Sequence, residues 1–144
     1  MHKRILASAV LVGVLLAFHS LSLAHEDPSE TKPSGAAAPK LENLLRANLE
    51  GFKGGEVIVS RVTMPPHTSL PKHWHPGEEF GYVLEGTVTL WQEGKDDIIA
   101  KPGDVVKVPL KQVHTAITTD VGATILVFRV HEEGKPERVL VDGN

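Results

Sequence analysis

The chain has no cysteine. No disulfide can brace it, so a hydrophobic core, helped by a bound ion or a partner subunit, has to hold the fold. With no thiol to acylate, a lipoprotein anchor is excluded. A basic stripe is also missing. Its 15 Lys and Arg are scattered among 18 Asp and Glu, for a formal charge of −3. Nucleic acid and anionic membrane surfaces are therefore poor partners. Finally, no hydrophobic run is long enough to span a bilayer comfortably. The apolar stretch Ile5 to Phe18 falls short of the roughly 20 residues a spanning helix needs.

That stretch has a different use. His2-Lys3-Arg4 give it a basic start, and Ser22-Leu23-Ala24 put small residues where signal peptidase reads. This is the build of a secretory signal peptide, residues 1–24, cleaved after Ala24. Lys3-Arg4 is not a twin-arginine pair, so the expected route is the general one for unfolded chains. The expected destination is periplasmic or secreted, with no membrane attachment after cleavage. Cleavage removes Lys3 and Arg4 and no acid, leaving 13 basic and 18 acidic residues and a net charge of −5. Residues 25–40 are rich in Pro, Ser, Ala, Gly and Glu. That composition cannot bury a core and reads as a flexible tail. Residues 41–144 are expected to form a single domain.

From Glu56 onward the pattern is β. Val57 to Met64 is a β-branched run ended by Pro65-Pro66, and Phe80 to Leu84 meets Glu85-Gly86 and is expected to run back as Thr87 to Trp91. Gly86 supplies the positive φ of a tight hairpin turn. Glu93-Gly94-Lys95 is a second turn before Ile98 to Ala100, and Lys101-Pro102-Gly103-Asp104 places Pro and Gly for a type II turn. Val105 to Val108, Val113 to Thr119, Ala123 to Val130 and Arg138 to Val141 complete the set. Many short strands with turn chemistry between them predict an all-β sandwich or small barrel. Residues 41–52 are ambiguous. Leu41, Leu44, Leu45 and Leu49 fit a helical stripe, yet the segment can also lie as a first edge strand.

Four residues carry the chemistry. His73, His75 and Glu79 lie in His73-Trp74-His75-Pro76-Gly77-Glu78-Glu79 and share a parity, so in extended chain they can face one way. His114 supplies a third imidazole from another strand. Two imidazoles and a carboxylate converging with a third ring make a site for one divalent transition metal. Fe(II), Mn(II), Ni(II), Cu(II) and Zn(II) all suit this set. Glu78 has the opposite parity and reads as a solvated rim residue. His67 reads as an exposed turn histidine, His131 as a solvent-facing residue at a strand end, and His25 as part of the tail. Trp74 and Trp91 are assigned to packing, in the core or at an interface.

The spacing His73-x-His75-xxx-Glu79 followed by Gly86 resembles the first motif of the cupin superfamily, and Gly103, Pro109 and His114 resemble the second. The resemblance covers roughly Leu41 to Val141. Three positions depart from it: His67 and Lys111 stand where glycine is usual, and Thr118 where asparagine is usual. The likeness is to small exported single-domain proteins of the cupin-2 type. It implies a double-stranded β-helix, or jelly-roll barrel, with one metal inside, and a homodimer. It places the 41–52 segment as a strand. Quercetinase-like dioxygenases share the ligand set.

Such a metal keeps one or two positions open for a small-molecule ligand or substrate. Glu79 can ligate or act as general base. Three functions remain: a dioxygenase or isomerase acting on a small polar or phenolic compound, a non-catalytic binding barrel for a small ligand or metal, and a barrel merely stiffened by its ion.

Overall fold

β-Branched residues at alternate positions build most of this molecule. The computed structural model describes residues 37–141, all within the unit Pro33–Asn144. The expected signal segment 1–24 and nearly all of the expected tail 25–40 lie outside the described residues. The strands are β1 (Lys40–Asn48), β2 (Gly55–Met64), β3 (His73–Trp74), β4 (Glu78–Gly86), β5 (Val88–Gln92), β6 (Ile98–Ala100), β7 (Val105–Val108), β8 (His114–Ile117), β9 (Ala123–Glu132) and β10 (Val139–Leu140). They form two antiparallel sheets, ordered β1-β2-β9-β4-β7 and β10-β3-β8-β5-β6. Among the described residues there is no helix. The architecture is the expected jelly-roll barrel.

The Leu41 segment is a strand despite its helical stripe. β1 pairs with β2 from Lys40↔Thr63 to Asn48↔Glu56, with a bulge between Asn43 and Leu45. An unpaired edge of β2 offers a full row of backbone partners, and that tertiary pairing outweighs local helix propensity.

Gly86 does not make a hairpin, which corrects the expectation for residues 80–91. β4 pairs with β7 and β9, whereas β5 pairs with β6 and β8. The chain leaves one sheet at Gly86 and enters the other. Gly86 is needed there for two reasons. Its φ is +75°, and a Cβ would stand 1.8 Å from the Gly122 carbonyl oxygen. The other turn readings hold. Asp104 N donates to Lys101 O at 2.9 Å with Gly103 at φ +93°. The two usual glycine positions filled here by His67 and Lys111 keep positive φ, at 53° and 56°. Buried Thr118, in place of asparagine, donates to Pro65 O at 2.6 Å and accepts from Thr68 N at 3.0 Å.

The barrel interior is divided. Along β2, Glu56, Ile58, Ser60, Val62 and Met64 point inward, and along β9 Ala123, Ile125, Val127, Arg129 and His131 do. Toward Met64 and Ala123 the lining is apolar: Val62, Met64, Val83, Val88, Ala100, Ala123, Ile125 and Val127 form one cluster. Burying each such side chain contributes about 1.5–3 kcal/mol for the larger ones. Toward Glu56 and His131 the lining turns polar and charged. The outer face of the first sheet is also apolar in part. Leu45, Val59, Phe128 and Phe80 are register neighbours across four strands.

Candidate metal centre

The polar end of the barrel gathers the four expected residues from both sheets. His73 opens β3 and pairs in register with His114, which opens β8. His75 lies just past β3, where Pro76-Gly77 carry the chain across to β4 of the other sheet. Glu79 then points back from β4. So the four meet across the interior, rather than on one strand face as shared parity suggests. Gly77 makes the crossing possible: a Cβ there would lie 2.1 Å from Val130 O and 2.3 Å from the His131 Cβ.

The three imidazoles are buried, with ring centroids 4.4, 4.9 and 5.1 Å apart. One ligand atom from each falls within 4.8 Å of the others. Each ring is oriented by a backbone carbonyl. Nδ1–H of His73 donates to Pro71 O at 2.7 Å, that of His75 to Glu137 O at 2.5 Å and that of His114 to Gln112 O at 2.9 Å. Because Nδ1 is the donor in every ring, Nε2 carries a lone pair, which is the form a metal takes. Burial, more than the other rings nearby, pulls the His73 pKa down to about 4, so this ring is neutral at physiological pH.

Glu79 faces these lone pairs. Its Oε2 is 2.9 Å from His75 Nε2 and its Oε1 is 3.6 Å from His114 Nε2. Burial works against its charge, but the His114 and His75 imidazoles reverse this and hold the carboxyl well below the usual carboxylate range. The Nε2 atoms of His75 and His114 are buried with no hydrogen-bond partner, despite the short contact to Glu79. Two acceptors facing each other need a positive charge between them. A proton on Nε2 satisfies the contact, and a divalent ion satisfies it for all four groups at once. The residues fit a transition metal on donor chemistry as well as on position.

Sequence reasoning missed the groups behind these ligands. Arg129, buried on β9, places Nε 3.4 Å from Glu79 Oε2, NH1 2.9 Å from Glu137 Oε2 and NH2 3.0 Å from Ser60 Oγ. His131 corrects its expected solvent-facing position. Its ring is buried, Nδ1 donates to Glu132 O at 2.9 Å, and Nε2 lies 3.7 Å from Glu56 Oε1. The cause is that β9 runs two residues beyond Val130, with the Gly77 crossing packed against the His131 Cα and Cβ. Other expectations hold. Glu78 is half-buried at the rim and pairs with Lys107 at 2.6 Å, and His67 is exposed. Trp74 and Trp91 are half-buried, the latter under the Lys72 ammonium at 4.0 Å. His25 lies outside the described residues.

Comparison with known proteins agrees with this fold. A family model described as "Cupin domain" matches residues 60–129, a span that contains all four candidate ligands. The chain belongs to the cupin superfamily. Similar solved structures place this cupin in the same fold. A cupin-like protein from Thermotoga maritima MSB8 is 22% identical over 73% of this chain and 77% of its own, with a TM-score of 0.61. The DMSP lyase DddQ from Ruegeria pomeroyi DSS-3 is 24% identical over 81% of this chain, which spans only 59% of the lyase, with a TM-score of 0.63. The polyketide cyclase RemF from Streptomyces resistomycificus is 22% identical over 72% of this chain and 81% of its own, with a TM-score of 0.52. No curated protein sequence matches the chain.

Proposed function

We propose that this cupin is a metal-dependent enzyme acting on a small polar or phenolic molecule, with His73, His75, Glu79 and His114 as the ligands. The observation that carries the reading is the common tautomer. Three carbonyls each consume an Nδ1–H, leaving three lone pairs and one carboxylate aimed into a shared buried space. A bound divalent transition metal supplies a Lewis acid that polarises a substrate oxygen. Identity among Fe, Mn, Ni, Cu and Zn follows from availability where the protein loads, which we take to be the periplasm or the exterior.

The protein's own groups do the rest. The three His hold the ion and keep no proton on its side. Glu79 completes the ligand set or, when displaced, accepts a substrate proton. Arg129 stands behind Glu79 as its counter-charge, with Nε 3.4 Å from Oε2. Arg129 also lines a cavity of about 390 Å³ with Leu41, Val62, Leu70, Pro71 and Glu137, an apolar wall with a charged end that suits a small amphipathic molecule. Two proteins of similar structure are a lyase and a cyclase, which favours catalysis over a purely structural ion. Oxidative cleavage by a dioxygenase and isomerisation are the reactions this ligand set fits best.

The test is oxygen uptake and product formation by protein loaded with each of the five metals, on a panel of phenols and enolisable compounds. Turnover that depends on one metal and is lost in Glu79→Gln is the expected result. No turnover in any form would overturn the enzymatic reading. A second reading, a non-catalytic site that stores or is stiffened by its ion, is favoured by one observation. None of the four ligands lines the cavity just described, and all four side chains are largely buried.

A further inference from the structure

We propose that Glu137 is the positioning residue of the metal centre, holding two of the four ligands from two different sides. The proposal rests on the reading of that centre as a metal site. Glu137 stands in the loop between β9 and β10. Its place is set by β10, whose Val139↔Trp74 and Leu140↔His73 pairs lay the loop beside the end of β3. The main-chain carbonyl of Glu137 accepts the His75 Nδ1–H and so fixes that ring's tautomer and direction. Its carboxylate does a second job. Oε2 accepts from Arg129 NH1 at 2.9 Å, and the same guanidinium puts Nε 3.4 Å from Glu79 Oε2, a charge contact without a hydrogen bond. One loop residue therefore sets the aim of an imidazole and, through one intermediary, of the carboxylate.

The loop is itself clamped from β1. Arg46 NH2 reaches Glu137 Oε1 at 2.5 Å, and Asn43 Nδ2 donates to the same oxygen at 3.1 Å. Arg46 NH1 also binds both oxygens of buried Glu56, at 2.9 and 3.0 Å. Asn43 accepts from Ser60 Oγ at 2.6 Å, and Ser60 receives the other end of Arg129. The result is a closed ring of contacts, Glu137–Arg129–Ser60–Asn43–Glu137, behind the ligands. Opposite charges hold Glu137 ionised: burial opposes its charge, but Arg129 and Arg46 keep the carboxyl below its usual range. Groups behind metal ligands commonly set affinity by fixing ligand direction.

Replacing the side chain leaves the main-chain carbonyl in the sequence but frees the loop that aims it. In the full chain, Glu137→Gln is expected to bind Co(II) about ten-fold or more weakly. Its Co(II) visible absorption bands are expected to shift, because His75 and Glu79 no longer meet the ion at the same angles. Glu137→Asp, which keeps the charge, should fall between. Arg46→Ala, at a half-exposed residue remote from the ion, should weaken binding in the same direction by several-fold. The Co(II) spectrum is the deciding readout, since mere loss of stability lowers occupancy without moving the bands. Wild-type binding with Glu137→Gln unchanged in affinity and spectrum would overturn this inference and leave the metal site standing. Wild-type protein that binds no Co(II) would overturn both. Should Glu137→Gln fail to fold, folded Arg46→Ala with wild-type affinity and bands would overturn the inference in its place.

Discussion

Replacing His114 with alanine separates the ligand role from the structural one. In wild-type protein, free metal at 100 times its Kd adds about 2.7 kcal/mol by binding linkage. For a domain of roughly a hundred residues this raises Tm by about 10 °C or more. In His114→Ala two costs fall on the metal-free form. The 2.9 Å bond from Nδ1–H to Gln112 O is lost, worth about 1 kcal/mol, and a buried ring leaves a void costing on the order of 2–4 kcal/mol. Some of this is offset, because one lone pair no longer faces Glu79. The metal-free mutant therefore melts lower, but that drop does not test ligation. The metal-dependent increment does. If the site weakens 100-fold, the same free metal adds only about 0.4 kcal/mol, or roughly 2 °C. Thermal melts with metal and with chelator, paired with elemental analysis of the purified proteins, read this directly. A mutant that still gains about 10 °C and keeps its metal content, or a wild-type melt that chelator leaves unmoved, would refute the assignment.

Three further outcomes are expected. In chelated protein, the His73 ring stays neutral down to a pKa of about 4, while in the unfolded chain it protonates near 6.5. Protons between those values bind only the unfolded state, so stability should fall as pH drops from about 6.5 toward 4, and fall further below about 4.5 as the unfolded chain takes up protons that folded Glu79 and Glu137 do not. Urea midpoints across that range check it, and a flat profile contradicts it. Gly77→Ala forces a Cβ against Val130 O and His131, so it should cost about 1–3 kcal/mol in urea unfolding and reduce metal content. The apolar row Leu45, Val59, Phe128 and Phe80 is where we place the homodimer contact, so Phe128→Glu should convert a dimer to a monomer in light scattering. A wild-type protein that is already monomeric ends that expectation.

What could be read from the chain followed the range of each signal. The candidate ligands stood out because three of them sit within seven consecutive residues and the fourth follows a recognisable turn-and-strand segment. The barrel was legible from strand spacing and from turns such as Lys101–Asp104, whose Pro and Gly leave little choice of geometry. The support behind the ligands was not. β9 alternates Ala123, Ile125, Val127, Arg129 and His131 with Thr124, Leu126, Phe128 and Val130, so both faces are largely apolar and the strand's phase is ambiguous. That ambiguity hid Arg129 and His131. Glu137 was invisible for another reason. It meets Asn43 and Arg46 more than 90 residues away, and its carbonyl meets His75 across 62 residues, while a Gly-Lys-Pro-Glu loop reads locally as ordinary solvent-facing chain. Gly86 misled because a glycine with positive φ serves equally well to reverse a strand or to switch it between sheets.

The split of the interior gives the barrel two separate workshops. Methyl-rich residues near Met64 and Ala123 supply much of the cohesion, and none of the four candidate ligands belongs to that cluster. At the far end, guanidinium, carboxylate and imidazole groups surround the candidate metal centre and are tied together by buried hydrogen bonds. Substitutions at Val88 or Ile125 should then alter robustness while sparing the candidate ligands, whereas those at Ser60 or Arg129 should disturb both, because each leaves a buried partner unpaired. A barrel built this way keeps one end whose lining can vary without disturbing the candidate ligands at the other.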